Sequence, residues 1–171
     1  MKFARNIIVL LFLVALLAAG LVSERFLRPN ASLAPGVPLF PTPPEQIVGI
    51  SWDVEAPNGT IREMTLRREG DLWRMERPYP GALCDAAAVA DFLDALQSLR
   101  VQARLGPAED SAFRIMRRLT VFTPEDAYSR GFGGTQPMAL AQTLAEADGM
   151  LVSVEASAVA RLPRSAAALR T

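Results

Sequence analysis

The 171-residue sequence contains no histidine, a single cysteine at Cys84 and a single lysine at Lys2. Histidine is the most common general base and zinc ligand, so its absence excludes most familiar hydrolytic and metal-dependent constellations. One thiol cannot form an internal disulfide, and we expect Cys84 to be a small, semi-buried residue just before a helix. The sequence therefore predicts no catalytic residue, no metal site and no cofactor.

The chain also lacks an excess of charge of either sign. Eighteen basic residues balance eighteen acidic ones, and every basic residue except Lys2 is an arginine. No basic stripe runs along any segment, which argues against binding to nucleic acid.

One long apolar run stands near the N-terminus, at Ile7 to Val22. From Arg5 to Glu24 there is no charge over about 18 residues, or roughly 27 Å of helix, which matches the hydrocarbon core of a bilayer. Lys2 and Arg5 precede the run and predict a cytoplasmic N-terminus. Residues 1–28 are therefore predicted to be an anchor in the bacterial inner (cytoplasmic) membrane, with the following domain in the periplasm.

Two further predictions concern this anchor. A cleavable signal peptide is the alternative, because the small residues 18–20 (Ala-Ala-Gly) suit a signal peptidase, but the length of the run and the charged residues that follow it favour retention. Small residues on one helical face also allow close approach of a second membrane helix. The predicted helix interface consists of Ala15, Ala19 and Gly20.

Residues 29–45 are predicted to be a proline-rich linker. Six of the thirteen prolines fall between Pro29 and Pro44, without a charged side chain among them. Such a segment favours extended polyproline II geometry and could act as a spacer. Leu39 and Phe40 could instead pack on the domain or contact a partner protein.

The exported domain, residues 46–171, begins with alternating apolar and polar residues that are typical of strands. Val48, Ile50, Trp52 and Val54 lie on one face of the predicted first strand. The turn at residues 57–59 leads to a return strand over Ile61 to Arg68, and a third strand follows over Leu72 to Arg77. These elements predict an antiparallel meander.

A helix is predicted from Ala86 to Arg100, capped by Asp85. Its apolar residues recur at three- and four-residue spacing and should cover the sheet. The predicted structural core of the domain consists of Trp52, Trp73, Val89, Phe92, Leu93 and Leu96. A short strand over Val101 to Leu105 follows.

The second half of the domain has a weaker pattern. We expect a short helix over Glu109 to Arg118, strands over Leu119 to Phe122 and Tyr128 to Phe132, and a turn at the glycines of residues 131–134. Residues 138–145 fit a strand or a helix. A strand over Met150 to Val154 and two short helices, Ser157 to Leu162 and Arg164 to Arg170, complete an α+β fold: an antiparallel sheet against one main helix, with a smaller second β/α lobe (sublobes 46–105 and 106–171).

The stretch from Leu72 to Met75 followed by Pro78, and the spaced aliphatic residues after Asp85, resemble the bacterial domain of unknown function 4340. The glycine-marked strand at Gly131, the strand at Met150 to Val154 and the Leu169-Arg170 pair are similar too. The resemblance covers most of residues 47–171 and brings no catalytic residues. It implies an accessory role beside ABC-type, gliding-motility-like export systems.

Two functional hypotheses follow. Paired carboxylates occur at Asp91/Asp94, Glu109/Asp110 and Glu125/Asp126. All three pairs are predicted to lie on solvated surfaces, so an enzyme is not expected. The first hypothesis is a non-catalytic accessory or structural subunit of an integral membrane protein complex. The alternative is a periplasmic binding module for a small molecule or polymer, associated with an ABC-type transport system.

Overall fold

The fold is taken from a computed structural model, which describes residues 33–56, 58–109, 113–136 and 139–171. Nine strands form one sheet in the order β4-β3-β2-β1-β6-β7-β8-β9-β5, and every neighbouring pair is antiparallel. The strands are β1 (Gly49–Glu55), β2 (Ile61–Glu69), β3 (Leu72–Arg77), β4 (Ala82–Leu83), β5 (Val101–Pro107), β6 (Arg117–Phe122), β7 (Ala127–Gln136), β8 (Ala139–Ala147) and β9 (Met150–Glu155). The helices are α1 (Ala86–Ser98) and the short α2 (Ala156–Ala160), with 3₁₀ turns at Pro44–Gln46 and Ala166–Leu169.

The predicted meander of β1, β2 and β3 is confirmed. In the β1–β2 register Ile50 lies opposite Leu66 and Trp52 opposite Met64, and all four side chains are buried. Strict alternation explains the agreement, because a shift of the register by one residue would move these buried side chains to the solvent face of the sheet.

Helix α1 begins where Asp85 accepts a hydrogen bond through Oδ1 from the Ala88 amide at 2.8 Å, as expected for an N-cap. Its apolar stripe buries Val89, Phe92 and Leu96 in the core, whereas Leu93 is only partly buried at its edge. Together with the sheet, this helix gives the α+β architecture that the sequence predicts.

The two predicted sublobes are not separate bodies. Strand β6, from the second half of the chain, pairs with β1 from the first half, and β5 pairs with β9 at the far edge. Residues from Leu33 onward therefore belong to one compact unit. A meander of four strands followed by a helix occurs twice along the chain, and β1 and β6 join the two meanders.

The predicted helix over Glu109 to Arg118 is wrong: residues 113–116 have no regular structure, and β6 begins at Arg117. The predicted glycine turn is also wrong, because Gly131 and Gly133 lie within β7. A Cβ at Gly131 would lie 2.7 Å from the Ile115 side chain, and one at Gly133 would overlap the Phe113 ring. These glycines let the segment before β6 pack directly on the strand.

Much of the predicted linker is part of the domain. Leu33, Leu39 and Phe40 are fully buried. The Leu39 amide donates to the Leu99 carbonyl at 2.7 Å, and Gly36 donates to Val101 at the same distance, so the segment pairs with the chain around the start of β5. A free spacer from Pro29 to Pro44 is therefore wrong from Leu33 onward, because apolar side chains between the prolines fill the core. Leu39 and Phe40 pack on their own domain and are not available to a partner in this conformation.

The predicted membrane helix, with Ala15, Ala19 and Gly20, lies outside the described residues. Within residues 33–171, as far as the structure describes them, no helix is long and apolar enough to cross a bilayer.

Candidate functional site

A cleft of about 500 Å³ opens at one end of the sheet's buried face. Three parts of the chain enclose it: the β1–β2 hairpin, the connection between β3 and β4, and the C-terminal segment after α2. We call it the arginine cleft, and its lining residues are Val54, Glu55, Ala56, Arg62, Pro78, Tyr79, Arg164, Ser165, Ala166 and Ala167.

Arg62 reaches the cleft because of strand alternation. It lies opposite Val54 in the β1–β2 register, on the same face of β2 as the buried Met64 and Leu66. A charged residue thus occupies an inward-facing position at the place where the core ends. The surrounding strand fixes its backbone, and the residue is exposed to solvent at this end of the core.

Arg164 is positioned by two hydrogen bonds to β1. The indole Nε1 of Trp52 donates to the Pro163 carbonyl at 2.8 Å, and the Glu55 amide donates to the Arg164 carbonyl at 2.9 Å. Trp52 is itself held in the core by an edge-to-face contact with Phe132, with centroids 5.8 Å apart. The C-terminal segment is therefore attached directly to the strand that forms the floor of the cleft.

Tyr79 forms the third wall, within the turn between β3 and β4. The Gly81 amide donates to the Met75 carbonyl at 2.9 Å, which closes this turn. The guanidinium of Arg170 lies 4.5 Å from the centroid of the Tyr79 ring, within the range of a cation–π contact. This contact links the tyrosine to the C-terminal segment and adds a third arginine beside the cleft.

The charges of the cleft are not neutralised internally. Among the described residues, neither the Arg62 nor the Arg164 side chain has an ion-pair or hydrogen-bond partner. By contrast, Arg67 on β2 and Arg74 and Arg77 on β3 each pair with a glutamate. Glu55 is the one carboxylate among the lining residues, against Arg62 and Arg164 in the lining and Arg170 beside it, so the cleft carries a net positive charge.

The chemistry available in the cleft favours binding. Guanidinium groups can hold an anion by charge-assisted, bidentate hydrogen bonds, and Val54, Pro78 and Ala166 provide apolar contact area. An activated nucleophile needs an adjacent base. Within the described residues the Ser165 hydroxyl has no hydrogen-bond partner, so the cleft as described presents no such pair.

A second, smaller cavity of about 190 Å³ lies against Cys84, Trp73 and the first turns of α1. Cys84 is buried, and this burial raises the pKa of its thiol by desolvating the thiolate. The neutral thiol is a poor nucleophile, in keeping with the predicted role of a small packing residue.

The paired carboxylates do not form a site in the described structure. Asp91 and Asp94 are exposed on α1, and Glu125 and Asp126 are exposed in the β6–β7 turn. Asp110 lies outside the described residues. No group of three potential metal ligands occurs in the part of the chain that the structure describes.

The sequence interpretation missed the arginine cleft, although it placed Trp52, Trp73, Val89, Phe92 and Leu96 where they are buried. The available signal was Arg62, since the alternation that directs Met64 and Leu66 inward directs Arg62 inward as well. No similar signal marks Arg164.

No protein-family model, curated protein or solved structure matches this chain. The resemblance to the domain of unknown function 4340 stays a prediction.

Proposed function

We propose that this chain is a non-catalytic, membrane-anchored subunit of a bacterial membrane protein complex, and that its periplasmic domain docks through the arginine cleft. The anchor and export rest on the apolar run at Ile7 to Val22 and on the positive residues before it. The docking part of the proposal is supported by the arginine cleft of the described domain.

The observation that carries the proposal is the pair of unpartnered arginines in one apolar-walled cleft. Arg62 and Arg164 line the same cleft of about 500 Å³, and no described side chain forms an ion pair with either of them. Arginine is enriched at the centres of protein interfaces, where it forms forked hydrogen bonds to carboxylates. A recognition surface of this kind suits a docking subunit.

A second observation concerns the connection to the predicted anchor. Leu33, Leu39 and Phe40 are buried in the core, so only the ten residues 23–32 separate the predicted membrane run from the described domain. A short connection raises the effective concentration of the domain near a membrane partner, which lets a modest contact suffice.

The experiment is affinity purification of the full-length protein from gently solubilised membranes. We expect integral membrane proteins to copurify with the native chain, and expect the double variant Arg62→Gln, Arg164→Gln to lose them. Arg118→Gln is the matched control, because Arg118 is exposed on the opposite face of β6, away from the cleft. A native chain that purifies as a monomer would refute the proposal.

The volume and apolar walls of the cleft also favour a second candidate, a binding module for a small molecule or polymer. Ligand pockets commonly measure about 300–1,000 Å³ and are mostly apolar, with a few polar groups. A monodisperse protein that carries a bound small molecule after purification would favour this candidate.

A further inference from the structure

We infer that the arginine cleft binds a linear peptide segment of a partner protein, in which an acidic residue stands next to an aromatic residue. This inference rests on the proposal that the domain docks through the cleft. It identifies the chemistry of the occupant, which the proposed function leaves open.

The two halves of the domain share one topology. Each meander of four strands is followed by a helix, and the chain after each helix crosses to the edge of the other meander. After α1, β5 pairs with β9. After α2, the Leu169 carbonyl accepts from the Asp85 amide at 2.9 Å, and Arg170 forms an antiparallel bridge with Cys84 beside β4. Because β1 and β6 are antiparallel, an approximate two-fold rotation relates the halves, and the arginine cleft has a counterpart at the opposite end of the sheet.

In the second half, this counterpart is filled by the chain itself. The arginine cleft lies between the β1–β2 hairpin, the β3–β4 turn and the segment after α2, so its counterpart lies between the β6–β7 hairpin, the β8–β9 turn and the end of α1. Residues 39–42 lie there without helix or strand structure, and Leu39, Phe40 and Thr42 are buried. Gln97, at the end of α1, donates through Nε2 to the Thr42 carbonyl at 2.8 Å. The occupant of this counterpart is thus a linear, mainly apolar peptide segment.

Arg130 shows how an arginine on this face of the sheet holds such a segment. It faces inward from β7, as Arg62 does from β2. Its Nε donates to the Leu39 carbonyl at 3.2 Å, its guanidinium lies 5.9 Å from the centroid of the Phe40 ring, and its Nη1 donates to Asp148 at 2.7 Å. A main-chain carbonyl, an aromatic ring and a carboxylate therefore satisfy one guanidinium, and a peptide can supply all three.

The arginine cleft contains the arginines without these partners. Arg62 and Arg164 form no ion pair within the described part of the chain. The β3–β4 turn, residues 78–81, has no acidic residue, whereas the β8–β9 turn contains Asp148. We therefore expect the carboxylate to come from the partner segment.

Charge and apolar surface agree with this occupant. Two arginines in the lining and Arg170 beside it outnumber Glu55, so an acidic segment is attracted to the cleft. Val54 and Ala166 are nearly inaccessible to solvent, and the floor of the cleft is continuous with the domain core. An aromatic side chain would cover this floor, as Phe40 covers the core in the other half.

The test is calorimetric titration of the full-length protein in a non-ionic detergent with four probes. The first is the peptide acetyl-Pro-Leu-Phe-Asp-Thr-amide, which has the sequence of residues 38–42 except for an aspartate after the phenylalanine. The second has asparagine in place of that aspartate, and the third has alanine in place of the phenylalanine. The fourth probe is inorganic phosphate.

We expect the aspartate peptide to bind most tightly. The asparagine peptide should bind about tenfold more weakly, as the loss of a charge-assisted hydrogen bond predicts, and the alanine peptide should bind more weakly because it covers less apolar surface. Arg62→Gln and Arg164→Gln should each weaken binding of the aspartate peptide by about tenfold and reduce its advantage over the asparagine peptide. Arg118→Gln should leave every affinity unchanged.

Equal affinity for the aspartate peptide and either of its two variants would overturn the inference, as would tighter binding of phosphate or unchanged affinity in both cleft variants. These results are distinguishable from failure of the proposed function. A chain that binds the aspartate peptide through the cleft but purifies as a monomer refutes only the subunit proposal. A chain that copurifies with membrane proteins but binds none of the peptides refutes only the inference about the occupant.

Discussion

Arg130 donates a hydrogen bond of 2.7 Å from Nη1 to Oδ1 of Asp148, and the arginine side chain is 3% exposed whereas the aspartate is 47% exposed. The Nε of Arg130 also donates to the Leu39 carbonyl at 3.2 Å, and its guanidinium lies 5.9 Å from the Phe40 ring. The side chain of Arg130, on β7, thus links the segment before β1 to the β8–β9 turn.

The ion pair predicts unequal effects for its two members. Asp148→Asn leaves a buried guanidinium without a counter-charge and should lower the free energy of unfolding by roughly 2–4 kcal/mol. Arg130→Met leaves a half-exposed carboxylate that water can solvate, and should cost less. Asparagine tolerates the positive φ of 51° at position 148, so backbone strain does not confuse the comparison.

Urea unfolding of the full-length protein, followed by the fluorescence of Trp52 and Trp73, measures both variants. A larger loss for Arg130→Met would show that the contacts to Leu39 and Phe40 matter more than the charge.

Gly131→Ala should destabilise the fold because the added methyl group would lie 2.7 Å from the Ile115 side chain. Overpacking of this kind costs about 1–3 kcal/mol. Ile115→Ala removes the obstructing atoms, so the cost of Gly131→Ala should fall in that background, and a double-mutant cycle measures the difference. Additive effects would mean that Ile115 does not pack on this strand.

Leu96 and Leu93 differ in burial, although the helical pattern gives them the same role. Leu96 is fully buried, so Leu96→Ala should cost roughly 2–5 kcal/mol. Leu93 is partly buried at the edge of the core, so Leu93→Ala should cost less. Equal losses in thermal or urea unfolding would place both leucines at equivalent core positions and contradict the packing of α1.

Cys84 should react slowly with iodoacetamide at pH 8, because burial raises the pKa of its thiol and keeps it protonated. Denaturation should restore the rate of an ordinary exposed thiol. The raised pKa also makes the free energy of unfolding depend on pH. This free energy is constant below the ordinary pKa of a thiol and falls as the pH rises above it, because the thiol then ionises more readily in the unfolded chain than in the folded protein. Rapid modification of the native protein would contradict the burial of Cys84.

The strands and the helix of the first half of the domain could be predicted because the spacing of their apolar residues fits only one type of secondary structure. Trp52 and Met64 alternate with polar neighbours on strands joined by a short turn, and Val89 and Phe92 recur at helical spacing. In the second half, the predicted strands over Leu119 to Phe122, Tyr128 to Phe132 and Met150 to Val154 are confirmed. Strand β8 could not be told from a helix, because it is rich in alanine and Thr143 is its one β-branched residue.

Long-range packing explains the other differences between the sequence-based prediction and the structure. Gly131 and Gly133 are ambiguous in sequence, since glycine serves turns and close approaches equally, and only Phe113 and Ile115 decide between them. The arginine cleft combines residues that are about a hundred positions apart, such as Arg62 and Arg164. A local sequence pattern therefore cannot show that they line the same cleft.

The most direct test of the docking proposal is site-specific photo-crosslinking in intact cells, with Tyr79→p-benzoylphenylalanine as the probe. Tyr79 lines the cleft and is 39% exposed, and the replacement keeps an aromatic ring there. Leu105→p-benzoylphenylalanine is the control, because Leu105 is similarly exposed but lies on β5 at the edge of the sheet. We predict a crosslinked adduct with a membrane protein from position 79 that disappears when Arg62 and Arg164 are both replaced by glutamine. Adducts from position 105 alone, or adducts from position 79 that persist without the two arginines, would contradict docking through the arginine cleft.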